Sequence, residues 1–203
     1  MKIAFIGSHG VGKTTLSYDV AAQFKRLGTN VDIVKEVARL SPLPINQRTS
    51  RDAQLWILMT QIAEEIRSTS HHDLVVCDRS VLDNYAYMAR ACGRQPEIER
   101  FLDFWLGTYD LLFKVPIVGA ASPDGVRDVD EQFVHAIDDL VDCLLADKGL
   151  VHVRRDAADR ERWIERVREA VLRHPASPVP ALQQRPGRAG AHPSGFTSLP
   201  RPT

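Results

Sequence analysis

The sequence predicts a three-layer α/β fold in which a five-stranded parallel sheet carries helices on both faces. Short apolar runs alternate along the chain with longer segments whose apolar residues recur at helical spacing. One of these runs, Leu74–Cys77, is apolar throughout, which is typical of a parallel strand covered on both sides. Strands that alternate with helices pair in parallel through right-handed crossovers, and these crossovers place helices on both faces.

The first strand leads into a glycine-rich loop. The apolar run Lys2–Ile6 precedes Gly7–Thr14, which reads Gly-Ser-His-Gly-Val-Gly-Lys-Thr and completes the pattern G-x4-G-K-[ST]. Its glycines let the backbone approach a polyphosphate without a Cβ in the way. Main-chain N–H groups then form an anion-binding nest at the start of a helix, whose dipole favours negative charge. The motif predicts a P-loop NTPase fold that binds a nucleoside triphosphate.

The loop residues have expected parts in this site. Lys13 is expected to reach the β- and γ-phosphates of ATP, and the Thr14 hydroxyl is expected to ligate Mg²⁺. His9 is interpreted as a filler that points outward. The predicted nucleotide-binding residues of this region are Gly7, Ser8, His9, Gly10, Val11, Gly12, Lys13, Thr14 and Thr15.

The other elements follow from their apolar patterns and from the residues at their ends. The later predicted strands are Val31–Val34, Leu74–Cys77, Leu111–Val115 and Leu150–Val153. The predicted helices run from the loop to Gly28 and around Leu55–Ile66, Val81–Ala89, Ile98–Leu106, Phe133–Leu145 and Trp163–Val171. Thr49 or Ser50 is expected to cap the second of these helices and Asp156 the last.

Composition divides the chain into one domain and a tail. Residues 1–173 contain every periodic segment, with a Gly-, Pro- and Ser-rich lid at about 116–130. Residues 174–203 hold seven of the twelve prolines and no periodic apolar face. We therefore expect a P-loop kinase-like domain followed by a disordered or loosely attached tail.

Charge and cysteine content limit the class of protein. The formal net charge is zero, and the tail holds three arginines and no acid, so residues 1–173 carry −3. This balance argues against a protein whose main task is to bind nucleic acid. No apolar run reaches the length of a membrane span, and Met1 leads directly into a strand. Three widely spaced cysteines indicate reduced thiols, so a cytoplasmic protein without membrane partners is expected.

Polar residues follow the predicted strands where they end. Glu36 and Arg39 follow the second strand, Asp78–Ser80 follows the third, and Arg154 and Arg155 follow the fifth. The carboxyl ends of parallel strands meet at one edge of the sheet, where α/β proteins bind their ligands. These residues therefore predict one convergent site.

The acid after the third strand has three possible roles. Asp78 resembles the acid of a Walker B strand, so it would hold Mg²⁺ through water or accept a proton from an attacking hydroxyl. The third role is a cap for the helix that contains Leu82. Arg79 beside it would offer a bidentate fork to a phosphate.

Two further positions each have a functional and an ordinary structural interpretation. Glu36 would orient or deprotonate an acceptor, or it forms an ordinary surface pair with Arg39. In the segment Asp124–Asp128, Arg127 would be a lid arginine that closes on the γ-phosphate, or it belongs to an ordinary surface loop.

Taken together, Gly7–Thr14, Glu36-x-x-Arg39, Asp78–Ser80 and Asp124–Arg127 resemble the P-loop kinases of small nucleosides and nucleotides. The chain looks most like the AAA-type ATP-binding domains related to nicotinamide riboside kinase, with thymidylate and deoxynucleoside kinases as nearby relatives. The resemblance covers about residues 1–172. It implies ATP and Mg²⁺ as cofactors, Thr14 and Asp78 at the metal, and a nucleotide contact from Arg154. The catalytic residues that it implies are Lys13, Asp78, Arg79, Glu36 and Arg127.

The favoured function is transfer of the γ-phosphate of ATP to a nucleoside, nucleotide or nicotinamide-riboside-like acceptor. A GTPase switch would need Asp-x-x-Gly after the third strand, whereas Arg79 and Ser80 follow Asp78. The alternative is a regulatory nucleotide-binding protein without turnover. The expected partners are a nucleoside triphosphate and a small-molecule acceptor, with no specific nucleic acid, and a homodimer is compatible with the sequence.

Overall fold

A computed structural model describes residues 1–118 and 131–178 of the chain and confirms the predicted parallel sheet. The strands are β1 (Lys2–Ile6), β2 (Val31–Val34), β3 (Leu74–Cys77), β4 (Leu111–Lys114) and β5 (Val153–Arg154). Their order in the sheet is β2-β3-β1-β4-β5, and every neighbouring pair is parallel.

Helices cover both faces of this sheet, as the sequence predicts. They are α1 (Lys13–Arg26), α2 (Arg51–Thr69), α3 (Val81–Cys92), α4 (Pro96–Leu106), α5 (Glu131–Asp147) and α6 (Trp163–Arg173). Short 3₁₀ helices span Val37–Leu40, Asn46–Arg48 and Ala157–Arg162.

Alternate residues of the central strand bury two separate cores. Ala4 and Ile6 pack in the core formed with α2, α3, α4 and α5, whereas Ile3 and Phe5 pack in the core formed with α1 and α6. All four side chains are fully buried, because successive residues of a strand point to opposite faces. The three-layer arrangement follows from these two apolar faces.

The fifth strand is shorter and begins later than predicted. The prediction was Leu150–Val153, but pairing with β4 is confined to Val153 and Arg154. The reason lies at the end of α5, where Gly149 takes a φ of 59° and the N–H of Leu150 donates to the carbonyl of Leu145. Leu150 therefore belongs to the turn that closes the helix, and its neighbour Val151 is 93% exposed.

Side-chain caps fix where two helices start. The hydroxyl of Ser50 accepts from the N–H of Ala53 and caps α2, one of the two predicted positions. The cap of α3 is Ser80, whose carboxylate partner Asp83 accepts in return from the N–H of Ser80. Asp78 is therefore not the cap of this helix, and that role for it is wrong.

Strand order places the ligand edge beside β1. The chain leaves β1 towards β2 at one edge and later crosses to β4 and β5 on the other side, so the direction of winding reverses at β1. In open α/β sheets, ligands bind at the carboxyl ends of the strands beside such a reversal. The glycine-rich loop follows β1 at this point.

Two predicted segments lie largely outside the described residues. The lid at 116–130 is described only to Val118, so Arg127 lies outside them, and the tail at 174–203 is described only to residue 178. Among the residues that the structure describes, no helix is long and apolar enough to cross a membrane.

The loop entry tolerates no side chain at Gly7. Its φ is 137°, and a Cβ built there would stand 2.6 Å from the carbonyl oxygen of Val115. We expect Gly7→Ala to lower the free energy of unfolding by at least about 3 kcal/mol, because the clash adds to the strained φ. The matched control is Gly93→Ala, where φ is 76° but nothing lies within 4 Å. The ψ of Gly93 is 171°, a region that disfavours any side chain, so urea denaturation should show a loss of about 1–3 kcal/mol for the control. A loss as large as that of Gly7→Ala would contradict the role of Val115.

Candidate active site

Two carboxylates from different helices hold the first turn of the glycine-rich loop. The N–H of Gly7 donates to Asp83 of α3 at 2.7 Å, and the N–H of Ser8 donates to Asp138 of α5 at 3.1 Å. Asp83 is fully buried and also accepts from the hydroxyl of Ser80. Sequence reasoning missed both acids, although an Asp three residues after a capping Ser is a recognisable signal for the first.

A buried lysine connects the same loop to β4. The ammonium of Lys114 lies 2.6 Å from Asp138 and 3.6 Å from Asp142, and its side chain is 1% exposed. A buried charge requires a partner of opposite sign, and α5 supplies two. A lysine at the end of the apolar strand Leu111–Lys114 was the sequence signal for this contact.

The side chain of Lys13 folds back into the glycine-rich loop. The Nζ of Lys13 donates to the carbonyl oxygen of Gly7 at 2.7 Å and also to that of Ser8. Burial lowers the pKa of this ammonium to about 8, and the charge of Arg79 acts in the same direction. Its proton is therefore held less firmly than that of an exposed lysine.

The residues predicted at a metal ion lie together. The hydroxyl of Thr14 donates to Oδ2 of Asp78 at 2.7 Å. Burial raises the pKa of Asp78, although the Thr14 hydrogen bond and the charge of Lys13 oppose that shift. An oxygen pair of this kind suits Mg²⁺, which takes one or two protein oxygens together with water and phosphate oxygens. No group of three or more His, Cys, Asp or Glu side chains in residues 1–118 and 131–178 is arranged to hold a metal by itself.

Glu36 is the centre of an ion-pair network rather than a surface residue. Its carboxylate lies 2.7 Å from the guanidinium of Arg79 and 3.0 Å from that of Arg39, and its side chain is 16% exposed. Burial acts to raise the pKa of Glu36, but the charges of Arg79 and Lys13 outweigh it and lower that pKa to about 2. Glu36 is therefore ionised throughout the physiological range.

The loop histidine points inward, which corrects the expectation of an outward filler. His9 is 5% exposed, and its Nδ1 lies 2.8 Å from the hydroxyl of Tyr87. Its ring also packs against Phe133 of α5, with 6.0 Å between ring centroids. The loop pattern allows any residue at this position, so only the aromatic residues of α3 and α5 decide that His9 is buried.

A second cavity adjoins the cavity of the loop. The loop cavity is lined by Lys13, Thr14 and Asp78, and it shares His9, Glu36 and Arg79 with its neighbour. The neighbouring cavity adds the amides of Gln54 and Asn84, the apolar Ile45 and Ile57, and Tyr87. The Nδ2 of Asn84 is buried and has no hydrogen-bond partner among the described residues. Neither a periodic pattern nor a motif in the sequence indicated these two amides.

The arginines after β5 do not meet the loop as expected. Arg154 is half exposed and forms an ion pair with Asp142 of α5 at 3.0 Å, so this geometry does not support its predicted nucleotide contact. The arginine that approaches the loop is Arg160, whose Nη2 lies 4.0 Å from a Cβ built on Gly12. Arg160, Trp163 and Thr15 line a pocket beside the loop.

Comparisons with known proteins agree with this architecture. A family model described as an AAA domain matches residues 2–162. Deoxyadenosine kinase from M. mycoides, in a structure with the products dCMP and a flexible dCDP, is similar with a TM-score of 0.60 and 17% identity. The same kinase gives a TM-score of 0.59 with dCTP bound and 0.54 with dATP bound, at 18% and 17% identity. Each match covers 84% of this chain and 98% of the kinase. No curated protein matches the chain.

The lowered pKa of Lys13 predicts a pH limit on nucleotide binding. The protonated ammonium attracts phosphates, and the ligand-free protein holds that proton only below a pH of about 8. Affinity for ATP should be level below this pH and should fall by up to about tenfold per pH unit above it. Lys13→Arg, whose guanidinium does not titrate in this range, should abolish the fall. Calorimetry over the pH range tests both proteins, and a level affinity through the pKa would contradict the assignment.

Asp78→Asn separates a role in the site from a role in stability. Because Ser80 caps α3, the amide should leave the melting temperature unchanged or slightly raised. Turnover with an acceptor that the wild-type protein phosphorylates should fall by about 10²-fold or more, because the site loses a charge. The control is Asp73→Asn, at the opposite end of β3 and exposed. Full turnover in a folded Asp78→Asn protein would contradict a catalytic or metal-binding role for Asp78.

Proposed function

The chain belongs to this AAA domain family, and we propose that it is an ATP-dependent kinase that phosphorylates a hydroxyl of a small nucleoside-like acceptor that carries no phosphate of its own. One observation carries the proposal. The cavity of the phosphate-binding loop and its neighbour share His9, Glu36 and Arg79. A donor phosphate on the loop and an acceptor in the second cavity would therefore meet at these three side chains, and phosphoryl transfer depends mainly on such positioning.

The donor side uses the loop and the end of β3. Main-chain N–H groups and Lys13 would bind the β- and γ-phosphates, and Thr14 and Asp78 would hold Mg²⁺. When bound, the ion supplies positive charge to the phosphate oxygens. Arg79, which is 6% exposed beside the same cavity, adds a fixed positive charge near the group that is transferred.

The charges of the second cavity favour an acceptor without a phosphate of its own. The arginines that line it, Arg39 and Arg79, both pair with Glu36. Glu36 offsets only one of their two positive charges, but a nucleoside monophosphate, with about two negative charges, would have to compete with that carboxylate for their N–H donors. The remaining polar groups, Gln54 and Asn84, suit the carbonyl and ring nitrogens of a base. The nucleotides in the similar deoxyadenosine kinase structures support this class of acceptor.

Glu36 would orient the acceptor hydroxyl rather than remove its proton early. A carboxylate whose pKa is about 2 is a weak base. It nevertheless accepts hydrogen bonds strongly, and Arg39 and Arg79 fix its position. Such an arrangement would align the hydroxyl with the γ-phosphate and would receive the proton late in the transfer.

A labelled-phosphate screen tests the proposed reaction. The protein is incubated with γ-labelled ATP and Mg²⁺ together with deoxyadenosine, deoxycytidine or nicotinamide riboside, and in parallel with their 5′-monophosphates. We expect label to pass to at least one of the three acceptors that carry no phosphate, and more slowly to every monophosphate. The background is set by Lys13→Ala. Tight ATP binding without transfer to any acceptor would instead support a regulatory nucleotide-binding protein.

Glu36→Gln tests the acceptor role separately. We expect kcat with the acceptor to fall by about 10²-fold or more, while the affinity for ATP changes little, because the amide no longer aligns the hydroxyl. Loss of the partner of Arg79 should also lower the melting temperature, so turnover is measured well below it. The control is Glu97→Gln, on the exposed face of α4. Unchanged kcat would remove Glu36 from the acceptor site.

A further inference from the structure

A buried arginine lies at the end of the sheet without a carboxylate partner. Arg155 follows β5 and is 6% exposed. Its guanidinium carbon lies 5.2 Å from the ring centroid of Phe113, and its Nε has no hydrogen-bond partner among residues 1–118 and 131–178. The main-chain N–H of Arg155 donates to the carbonyl of Lys114 at 2.9 Å, so the backbone holds the residue firmly in place.

Several acids around Arg155 already pair with other arginines. Arg166 pairs with Asp159, and Arg173 pairs with Glu169 at 3.3 Å. Arg154 pairs with Asp142 at 3.0 Å, on the other side of the sheet. Residues 174–203, which follow α6, contain no Asp or Glu. Asp156, the next residue, lines the same cavity, but its carboxylate accepts from the N–H of Ala158. Among the described residues, no carboxylate forms an ion pair with Arg155.

This arrangement is unfavourable unless an anion completes it. Burial lowers the pKa of Arg155, and the charge of Arg166 lowers it further. A guanidinium cannot escape this cost by losing its proton, because its ordinary pKa is too high. A buried cation is stable in a protein when an anion or hydrogen-bond acceptors surround it.

Arg155 faces a cavity that is large enough for a small anion. The cavity has a volume of about 220 Å³ and lies between the outer edge of β5 and α6. Arg155, Arg166 and Trp163 line it together with Arg154, Arg173 and the acids Asp156, Asp159 and Glu169, so four cations and three anions leave a net charge of +1. Pockets for drug-sized ligands measure roughly 300–1,000 Å³, so this cavity fits a smaller group. None of the described residues that line it belongs to the glycine-rich loop.

We propose that Arg155 and Arg166 form a second anion site, separate from the glycine-rich loop, that binds a phosphate group. The planar guanidinium of Arg155 presents parallel N–H donors that match two phosphate oxygens. Arg166 lies at the same cavity, paired with Asp159, and would offer the phosphate the N–H donors that this carboxylate does not use. The phosphate is either free inorganic phosphate or the terminal group of a phosphorylated sugar, since both present the same oxygens. The site does not depend on the proposed kinase activity.

Phosphate titration with matched variants tests the site. All proteins carry Lys13→Ala, so that phosphate binding by the loop is weakened. Arg155→Met is compared with Arg154→Met, which removes the same charge from a neighbouring residue that also lines the cavity but whose guanidinium pairs with Asp142. Binding of inorganic phosphate and of ribose 5-phosphate is measured by calorimetry in a low-salt buffer without other multivalent anions. We expect Arg155→Met to weaken binding at least tenfold and Arg154→Met to leave it within about twofold.

Thermal melting gives a second readout. Without phosphate, Arg155→Met should melt at the same temperature as Arg154→Met or higher, because it removes a buried cation that forms no ion pair with the described residues. Added phosphate should raise the melting temperature of Arg154→Met and not that of Arg155→Met. Tighter binding of ribose 5-phosphate than of phosphate would assign the site to a phosphorylated sugar, and equal binding would assign it to free phosphate.

Two results would overturn the proposal. One is phosphate binding that is equal in Arg155→Met and Arg154→Met, and the other is no phosphate binding in the parent protein. Should Lys13→Ala fail to fold, the same pair is compared with Lys13 intact. Arg155→Met must then lose one of two phosphate-binding events, and retention of both would equally overturn the site.

Discussion

Two hydrogen bonds to the main chain hold the part of the molecule on which the site depends. The N–H of Gly7 donates to Asp83, and the N–H of Ser8 donates to Asp138. Both α3 and α5 therefore hold the loop that follows β1. Asp138 also neutralises the buried Lys114 at the end of β4. The loop is therefore connected to the neighbouring strand and to two helices on one face of the sheet. Its shape is set before any ligand arrives, which is the condition for effective phosphate binding.

The ionisable residues beside the loop differ in how favourable their charged forms are. Glu36 is strongly ionised because Arg79 and Lys13 lie near it, whereas burial makes both the charged carboxylate of Asp78 and the charged ammonium of Lys13 less favourable. Groups whose charge is costly when buried gain most from a ligand of the opposite charge. Lys13 therefore suits a polyphosphate and Asp78 suits a cation, while Glu36 already has its partners. In the proposed kinase, this division would separate a donor side from an acceptor side.

Arg155, which lies outside the loop, also carries a charge that is unfavourable when buried. Its Nε is buried without a hydrogen-bond partner among the described residues, and it lines a cavity at the edge of the sheet. Lys114, only one strand away, shows how the chain solves the same problem with its own residues, because two carboxylates of α5 surround it. The contrast between these two cations points to a ligand at the second.

The sequence by itself determined the fold class, the loop and most of the strand ends. Apolar runs and the G-x4-G-K-[ST] spacing are local patterns, so they predict β1, β3 and the loop between strand and helix without knowledge of the rest. The same local reasoning placed Glu36, Asp78 and Arg79 at one edge, because parallel strands end together. Only the tertiary structure decided which side chains meet there. The support from Asp83 and Asp138, the inward turn of His9, the amides of Gln54 and Asn84 and the turn of Arg154 towards Asp142 depend on contacts between residues far apart in sequence, which no local spacing encodes.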